Sequence, residues 1–334
     1  MIGKQKITAL MAIAMMLLFP FSGFAQSAYA VFNSSTGTLT FKYGDKTTDK
    51  SGTVYDLNEG EDDPGWYDNS EKIIKVEFAS SFNAARPKTC FYWFAFCFNL
   101  ETIEGIDHLN TSEVTDMSFM FCCCSSLTSL DVSHFNTDKV TNMSYMFSGC
   151  VLLDGITLSS FKTTNVQDMK EMFSSCSTLQ SLDLSTFDTG KVSDMSEIFS
   201  GCSSLTTITL PNTIYTGNVT DMSWMFANCE KLTTIDVSKF NTSNVTDMGG
   251  MFHGCKELIS IDVSNFNTGN VKDMSRMFAN CEKLRTIDVS KFNTSNVTDM
   301  AGLFSGCEEL NSIDVSNFNT GNVKDMNGMF YDCN

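Results

Sequence analysis

The sequence predicts an α/β solenoid, a stack of short units that each contribute one strand and one helix. Two observations lead to this prediction. A cysteine recurs from residue 124 to residue 333 at steps of 26 residues, with a single step of 27. Between successive cysteines, the hydrophobic period changes from that of a strand to that of a helix. Because a unit of this size cannot bury its own apolar face, neighbouring units must supply each other's core.

The first half of each unit is predicted to be a strand. The unit starting at residue 232 reads LTTIDVSKFNTSNVTDMGGMFHGC, and its opening has the LxxLxLxx pattern of leucine-rich repeats. Ile235 and Val237 alternate with polar residues, which indicates one buried and one solvated face. Nine units are predicted, beginning at Leu100, Leu127, Leu153, Leu179, Leu205, Leu232, Leu258, Leu284 and Leu310.

The second half of each unit is predicted to be a helix of two to three turns. Its apolar residues follow helical spacing, at Val245, Met248, Met251 and Phe252 in the same unit. Asn244 is a suitable N-cap, and Asp247 places a carboxylate near the positive end of the helix dipole. Gly254 then ends the helix.

Alternating strands and helices predict a leucine-rich-repeat horseshoe. A strand, a crossover helix and a further strand give a parallel sheet. Strands would lie about 4.8 Å apart, whereas helix axes need roughly 8–10 Å. The mismatch predicts a concave parallel β-sheet and short convex helices.

The N-terminal residues 1–25 are typical of a secretory signal peptide. Lys4 and Lys6 precede an apolar segment that is too short to span a membrane, and small residues follow it. Cleavage after Ala25 or after Ala30 satisfies the small-residue rule, and Ala25 is favoured because the second cut would interrupt a strand. We therefore expect an exported protein, secreted or displayed on the cell surface. No second apolar run of about 18 residues follows, so no membrane span is expected.

The segment before the repeats is predicted to cap them. Residues 26–72 contain two strand patterns around the turn SSTG, which predict a β-hairpin, followed by an acidic loop. Residues 73–99 resemble a degenerate first repeat with a strand in IIKVEF and a helix in CFYWFAFC. Residues 100–334 form the nine repeats of about 26 residues.

Charge narrows the choice of partners. The formal net charge is −17, and removal of the two signal-peptide lysines would make it more negative. A surface of this sign repels nucleic acids and anionic lipids, so neither is expected as a partner.

The repeat LTSLDVSHFNTDKVTNMSYMFSGC and its copies resemble the BspA-like leucine-rich-repeat surface proteins. The segment SFNAARPKTCFYWFAFCFNLETIEGIDHLNTSEVTDMSFMF is also similar to that family. The resemblance covers nearly the whole chain after the signal peptide. It implies a cell-surface or extracellular protein that adheres to host matrix proteins or host cells. It implies no catalytic residue and no cofactor.

The cysteine column from Cys150 to Cys333 is interpreted as a row of buried structural thiols. Thirteen cysteines is an odd number, and bridging all the equivalent positions, whose spacing is set by the stacking of the units, would require Cα separations of about 5.5 Å. Near the cap, several cysteines depart from the regular pattern, and a disulfide among them is the alternative: Cys90, Cys97, Cys122, Cys123 and Cys124. The spacings of zinc sites are absent from the sequence.

Two columns are candidate ligand-binding surfaces. One is an acidic stripe on the solvated strand face, at Asp131, Asp183, Asp236, Asp262, Asp288 and Asp314. Stacked carboxylates of this kind bind calcium in the alternative interpretation, although a solvated row is favoured. The other is the variable position in DMSxMF, which offers the aromatic anchors Phe119, Tyr145 and Trp224. Packing between neighbouring units is the alternative role of these aromatic residues.

The sequence therefore predicts a binding protein without catalytic activity. No nucleophile-base pattern, phosphate-binding loop or metalloprotease motif occurs, so no catalytic, metal or cofactor residue is assigned. The expected partner is an extracellular protein or a glycan, with host matrix among the candidates. The alternative is a structural surface protein that associates with itself through its C-terminal end.

Overall fold

A computed structural model describes residues 26–333, so the predicted signal peptide lies outside the described residues. The strands are β1 (Ser27–Asn33), β2 (Thr38–Gly44), β3 (Thr53–Asp56), β4 (Lys75–Phe78), β5 (Thr102–Glu104), β6 (Ser181–Asp183) and β7 (Thr207–Thr209). Short 3₁₀ helices occupy Lys46–Thr48, Tyr67–Lys72, Ser80–Ala84 and Ile106–His108.

The predicted hairpin is present and begins a five-stranded sheet. Strands β1 and β2 pair antiparallel, from Asn33 opposite Thr38 to Ser27 opposite Gly44. The strand order is β3-β1-β2-β4-β5, and the last two pairings are parallel. The sheet thus changes from a hairpin to the parallel arrangement of the repeats, and joins the N-terminal segment to the first unit through backbone hydrogen bonds.

Aromatic side chains form the core beneath this sheet. The Phe41 ring stacks on Trp93 at 5.0 Å and meets the edge of Trp66 at 5.3 Å. The buried Trp66 Nε1 donates a hydrogen bond to the Trp93 carbonyl at 2.7 Å, so its polar atom is satisfied. Phe94 then lies 5.5 Å from Phe121, which joins this core to that of the repeats.

The predicted short helices are wrong, because no α-helix occurs among residues 26–333. Where the helix was expected, alternate backbone N–H groups donate to the next unit: Met248 to the Asp273 carbonyl at 3.0 Å and Phe252 to the Met277 carbonyl at 2.9 Å. The intervening N–H of Met251 closes a tight turn onto the Met248 carbonyl at 3.2 Å. Each unit therefore makes two consecutive turns here, and its remaining N–H groups build a parallel ladder with its neighbour. The helix expected in CFYWFAFC is replaced by the same turns.

The four-residue period of these turns explains the misinterpretation. Apolar side chains at Met248, Met251, Phe252 and Cys255 have spacings of three, four and seven residues, which also match a helix. Over so short a segment, periods of 4.0 and 3.6 residues place the same side chains inward. The backbone nevertheless excludes a helix, because φ is +61° at Gly250 and +69° at Gly254. Equivalent residues in most other units share this left-handed conformation, which favours glycine and asparagine.

On the side of the units opposite these turns, where the aspartates of the acidic stripe lie, few strands of neighbouring units pair. Among residues 26–333, the parallel ladder predicted there is regular only between β4 and β5 and between β6 and β7, with a further bridge between Ser260 and Thr286. The continuous ladder lies instead at the turns, where bridges link successive units from Thr89 to Asp325. Because residues 26–333 hold no α-helix, the difference in width between helices and strands that predicted curvature no longer applies. The horseshoe shape stays a prediction.

Polar ladders inside the stack were not foreseen from the sequence. Thr242 is buried, and its hydroxyl accepts a hydrogen bond from the Asn267 N–H at 2.7 Å and donates to the Asn267 carbonyl at 3.0 Å. The same pair of bonds recurs at Thr137, Thr268 and Thr294. Asn244, predicted as an N-cap, instead donates its amide to the Gly217 carbonyl of the preceding unit at 2.7 Å. The side chains of Thr242 and Asn244 thus form hydrogen bonds with backbone groups of neighbouring units.

The last described unit exposes side chains whose equivalents are buried elsewhere. Met326 is 46% exposed and Phe330 is 42% exposed, whereas Met300 and Phe304 one unit earlier are fully buried. Tyr331 is also exposed beside them. This face consequently presents the apolar columns of the core to solvent.

Candidate binding surfaces

The six carboxylates of the acidic stripe are exposed, as predicted, and we call this surface the aspartate face. Each aspartate accepts a hydrogen bond from the backbone N–H two residues later, as between Asp236 and Ser238 at 3.0 Å. The Ser238 hydroxyl donates to the same oxygen at 2.6 Å. Asx turns of this kind fix the carboxylates in place along the face.

Local hydrogen bonds keep this face ionised. The serine hydroxyl, followed by the backbone N–H, lowers the pKa of Asp236, Asp262 and Asp288 below the usual range. Within residues 26–333, none of the six aspartates forms an ion pair. Cations such as Lys256 and Arg285 instead pair with glutamates of neighbouring units. The charge of the aspartate face is therefore available to a partner.

Shallow grooves lie where threonine interrupts the aspartate face, and the sequence did not predict them. One, of about 750 Å³, is lined by residues that include Asp131, Thr157 and Ser181. The other, of about 290 Å³, lies between Thr209 and Asp236. The 27-residue step in the cysteine spacing is the signal that could have indicated the second groove, because the added residue falls in this irregular unit.

The aromatic candidates Phe119 and Tyr145 form a stacked pair. Their rings are 4.3 Å apart and nearly parallel, and both are half-buried. Tyr92 extends the stack, with its ring 4.8 Å from Phe119. It holds the equivalent position in the degenerate repeat, so alignment of FYWF with SFMF could have found it. Burial, followed by a hydrogen bond to Glu171, raises the pKa of Tyr145.

Trp224 lies apart from this pair, with Glu171 and Glu197 holding the intervening positions of its column. The indole is half-buried, and its ring meets the edge of the His253 imidazole at 5.3 Å. A Cβ added to Gly250 would lie 2.5 Å from the indole, so this ring covers the glycine of the next unit. Contact between units therefore occupies one face of Trp224, and the three aromatic candidates do not form one patch.

The cysteine column is buried from Cys150 to Cys307, as predicted, and Cys333 is partly exposed. Each thiol donates to a phenylalanine carbonyl of the preceding unit, as Cys255 does to Phe226 at 3.1 Å. Burial raises the pKa of Cys255 to about 12. Near the cap, the Cys122 and Cys123 sulfurs lie 3.7 Å apart, and both cysteines are free thiols.

Among the described residues, no group of three or more histidine, cysteine, aspartate or glutamate side chains is placed to hold a metal ion. Between residues 26 and 333, no helix is long and apolar enough to cross a membrane.

The ladders and shared core columns define the class of protein: a repeat protein whose 26-residue units stack through backbone hydrogen bonds. A family model described as "Mycoplasma protein of unknown function, DUF285" matches residues 89–213, 208–288 and 259–334. These segments cover most of the sequence. The chain therefore belongs to this family.

Solved structures of two bacterial leucine-rich repeat proteins are similar to this chain. The protein from Eubacterium ventriosum is 15% identical, and the alignment covers 93% of this chain and 94% of that one at a TM-score of 0.37. The protein from Bacteroides ovatus is 16% identical, with 86% of each chain covered and a TM-score of 0.36. No curated protein matches this sequence.

Proposed function

We propose that this protein is a secreted or cell-surface binding protein of the BspA-like leucine-rich-repeat kind. It adheres to a host or matrix protein, or to a glycan, through the aspartate face. The single observation that carries the proposal is the row of exposed, locally fixed carboxylates on this face. Support for export comes from the signal-like pattern in residues 1–25.

A cationic or neutral partner fits this face best. Each of the six aspartate-bearing units offers one carboxylate, so a partner with spaced basic groups gains a weak contact at each of them, and the contacts add along the array. Because the carboxylates are solvated, dissolved salt screens their attraction for a cation, and at ordinary ionic strength the attraction extends only about 10 Å. Binding should therefore weaken steadily as salt rises.

A binding screen against matrix proteins and glycans, followed by two variants, tests the proposal. For the partner found, the double variant Asp236→Asn and Asp288→Asn should lower affinity and flatten the salt dependence. Asparagine retains the carbonyl acceptor for the serine N–H, so the turn is preserved. Trp224→Ala is the comparison variant. Unchanged affinity in the double variant together with lost binding in Trp224→Ala would contradict the proposal. The binding site would then lie at Trp224 and not on the aspartate face.

A second candidate is a structural protein that associates with itself. A second copy whose repeats stack on the last described unit would cover Met326, Phe330 and Tyr331. Light scattering with size exclusion distinguishes the two functions. Oligomers that grow with concentration and disappear in Phe330→Ser favour self-association, whereas a monomer at all concentrations excludes it.

A further inference from the structure

Cys122 and Cys123 form a close pair of sulfurs near the start of the array. The Cys122 thiol donates to the Cys123 sulfur at 3.7 Å. Cys122 is only 5% exposed, whereas Cys123 is partly exposed in a left-handed turn with φ of +61°. One sulfur is therefore reachable from solvent, and the other lies immediately beneath it.

The pair stands outside the structural thiol column. Thiols of that column donate to phenylalanine carbonyls, as Cys150 does to Phe121 at 3.2 Å. The positions of Cys122 and Cys123 are occupied in three other units by a serine followed by a glycine, at Ser148–Gly149, Ser200–Gly201 and Ser305–Gly306. Serine and glycine serve the same turn there, so packing of the unit does not require sulfur at either position.

The arrangement favours a thiolate on the accessible sulfur. The hydrogen bond from Cys122 lowers the pKa of Cys123 to about 7, and the same bond raises the pKa of Cys122. Burial raises the pKa values of the neighbouring Tyr67, Tyr92 and Cys150, so these groups stay neutral near pH 7. An attacking thiol works best when its pKa lies near the ambient pH.

We propose that Cys122 and Cys123 form a reactive dithiol site that undergoes exchange with low-molecular-weight disulfides. The Cys123 thiolate attacks one sulfur of the small disulfide, whose S–S bond breaks and releases one thiolate. Cys122 then loses its proton to water and attacks the Cys123 sulfur, which expels the second thiolate. The small disulfide is thereby reduced by two electrons to two thiols, and the dithiol is oxidised to a disulfide between adjacent residues.

The test uses the full chain and the chromogenic disulfide dithiobisnitrobenzoate. We expect rapid release of two equivalents of thionitrobenzoate per native chain. Mass spectrometry should then find the peptide holding Cys122 and Cys123 lighter by two hydrogens and without an adduct. The rate should rise with a midpoint near the pKa of Cys123, below the value of about 8.5 for an ordinary cysteine.

Two variants separate the roles of the sulfurs. Cys122→Ser removes the second step, so one equivalent is released rapidly and the adduct remains on Cys123. The double variant Cys122→Ser and Cys123→Gly reproduces the serine-glycine pair of the other units. It should keep the melting temperature of the parent and lose the rapid release.

Three results would overturn the proposal. A stable adduct on Cys123 in the parent protein shows that Cys122 does not complete the exchange. Rapid release that persists in the double variant assigns the reactivity to another thiol, such as the partly exposed Cys333. A rate midpoint at the value for an ordinary cysteine excludes an activated thiolate. Peptide mapping of the parent protein shows whether the adduct on Cys123 persists, even if a variant fails to fold.

Discussion

The indole of Trp224 covers Gly250, the residue at the same position of the next unit. A Cβ on that glycine would lie 2.5 Å from the ring, and the glycine backbone has a φ of +61°. Gly302 differs, because a Cβ added there would lie 3.4 Å from the Arg276 Cγ, which is an ordinary contact distance. The glycine that follows Trp224 thus makes room for the indole, whereas Phe119 is followed by Tyr145, which stacks on its ring.

Gly250→Ala should therefore destabilise the protein by about 2–4 kcal/mol, because left-handed strain adds to the clash with the indole. Urea unfolding measures the loss. Gly328→Ala is the matched control, since φ is also +61° there and the nearest atom to an added Cβ is 3.5 Å away. Adding Trp224→Ala to Gly250→Ala should recover the part of the loss due to the clash. Additive losses in this double variant would contradict the contact.

Thr242→Val should cost about 1–3 kcal/mol, because it leaves both backbone groups of Asn267 without their buried partner. Valine has nearly the same shape as threonine, so packing changes little. Thr246→Val is the control: its hydroxyl is exposed and donates to the Thr220 carbonyl at 3.3 Å. Denaturant unfolding should show a change within about 0.5 kcal/mol for that control. Equal losses in the two variants would show that the buried ladder has no special role.

Asp247→Asn should raise stability slightly at neutral pH. Burial, followed by the charges of Asp221 and Asp273, raises the pKa of Asp247 in the folded protein. The ionised carboxylate therefore opposes folding at neutral pH, and the opposition disappears as pH falls through the raised folded-state pKa. Asn142 shows that the column accepts an amide, since its Oδ1 accepts the Ser144 N–H at 2.9 Å.

Melting curves from neutral pH to below pH 4 measure this gain, which should vanish at the acidic end. Asp236→Asn is the control, because its folded-state pKa is lowered. The ionised Asp236 carboxylate stabilises the folded protein above the unfolded-state pKa. This stabilisation is lost as pH falls through the folded-state pKa. The two variants should thus shift stability in opposite directions at pH 7. A gain for Asp247→Asn that is constant with pH would exclude a charge effect.

Alkylation of Cys255 should require unfolding of the array. Its thiol is buried, with its pKa raised to about 12, and donates to the Phe226 carbonyl. At pH 8, iodoacetamide labelling followed by peptide mapping should follow the urea unfolding curve, whereas Cys123 is labelled in the native protein. Cys255→Ala should cost about 1–2 kcal/mol through the cavity and the lost hydrogen bond. Labelling of Cys255 well before unfolding would contradict this burial.

Chelation should leave the fold intact. The aspartate face has at most one aspartate in each unit, each already accepting hydrogen bonds from its own serine as Asp236 does, and lacks the oxygen cage of a tight calcium site. The melting temperature of calcium-loaded protein should not change when EDTA is added. A large fall would restore the calcium interpretation of Asp236 and its equivalents.

The sequence by itself determined the repeat length, the buried columns and the exposure of the aspartates. These depend on which residues are apolar and how they alternate, as for Val237 inside and Asp236 outside. It also indicated the hairpin, since Asn33 and Thr38 flank a short polar turn. Patterns of this kind follow from local geometry, because side chains of an extended segment alternate between two faces.

Only the tertiary structure decided how the second half of each unit folds and which aromatic residues meet. Met248 and Phe252 have the same spacing in a helix and in two stacked turns, and the choice depends on hydrogen bonds to Asp273 and Met277 in the next unit. The bonds from Thr242 to Asn267 likewise join residues 25 positions apart. Such partners are set by the stacking of units, so the properties of a single unit do not reveal them. An isolated segment of a few turns gains little from helix formation, whereas the ladder pairs its backbone with both neighbours.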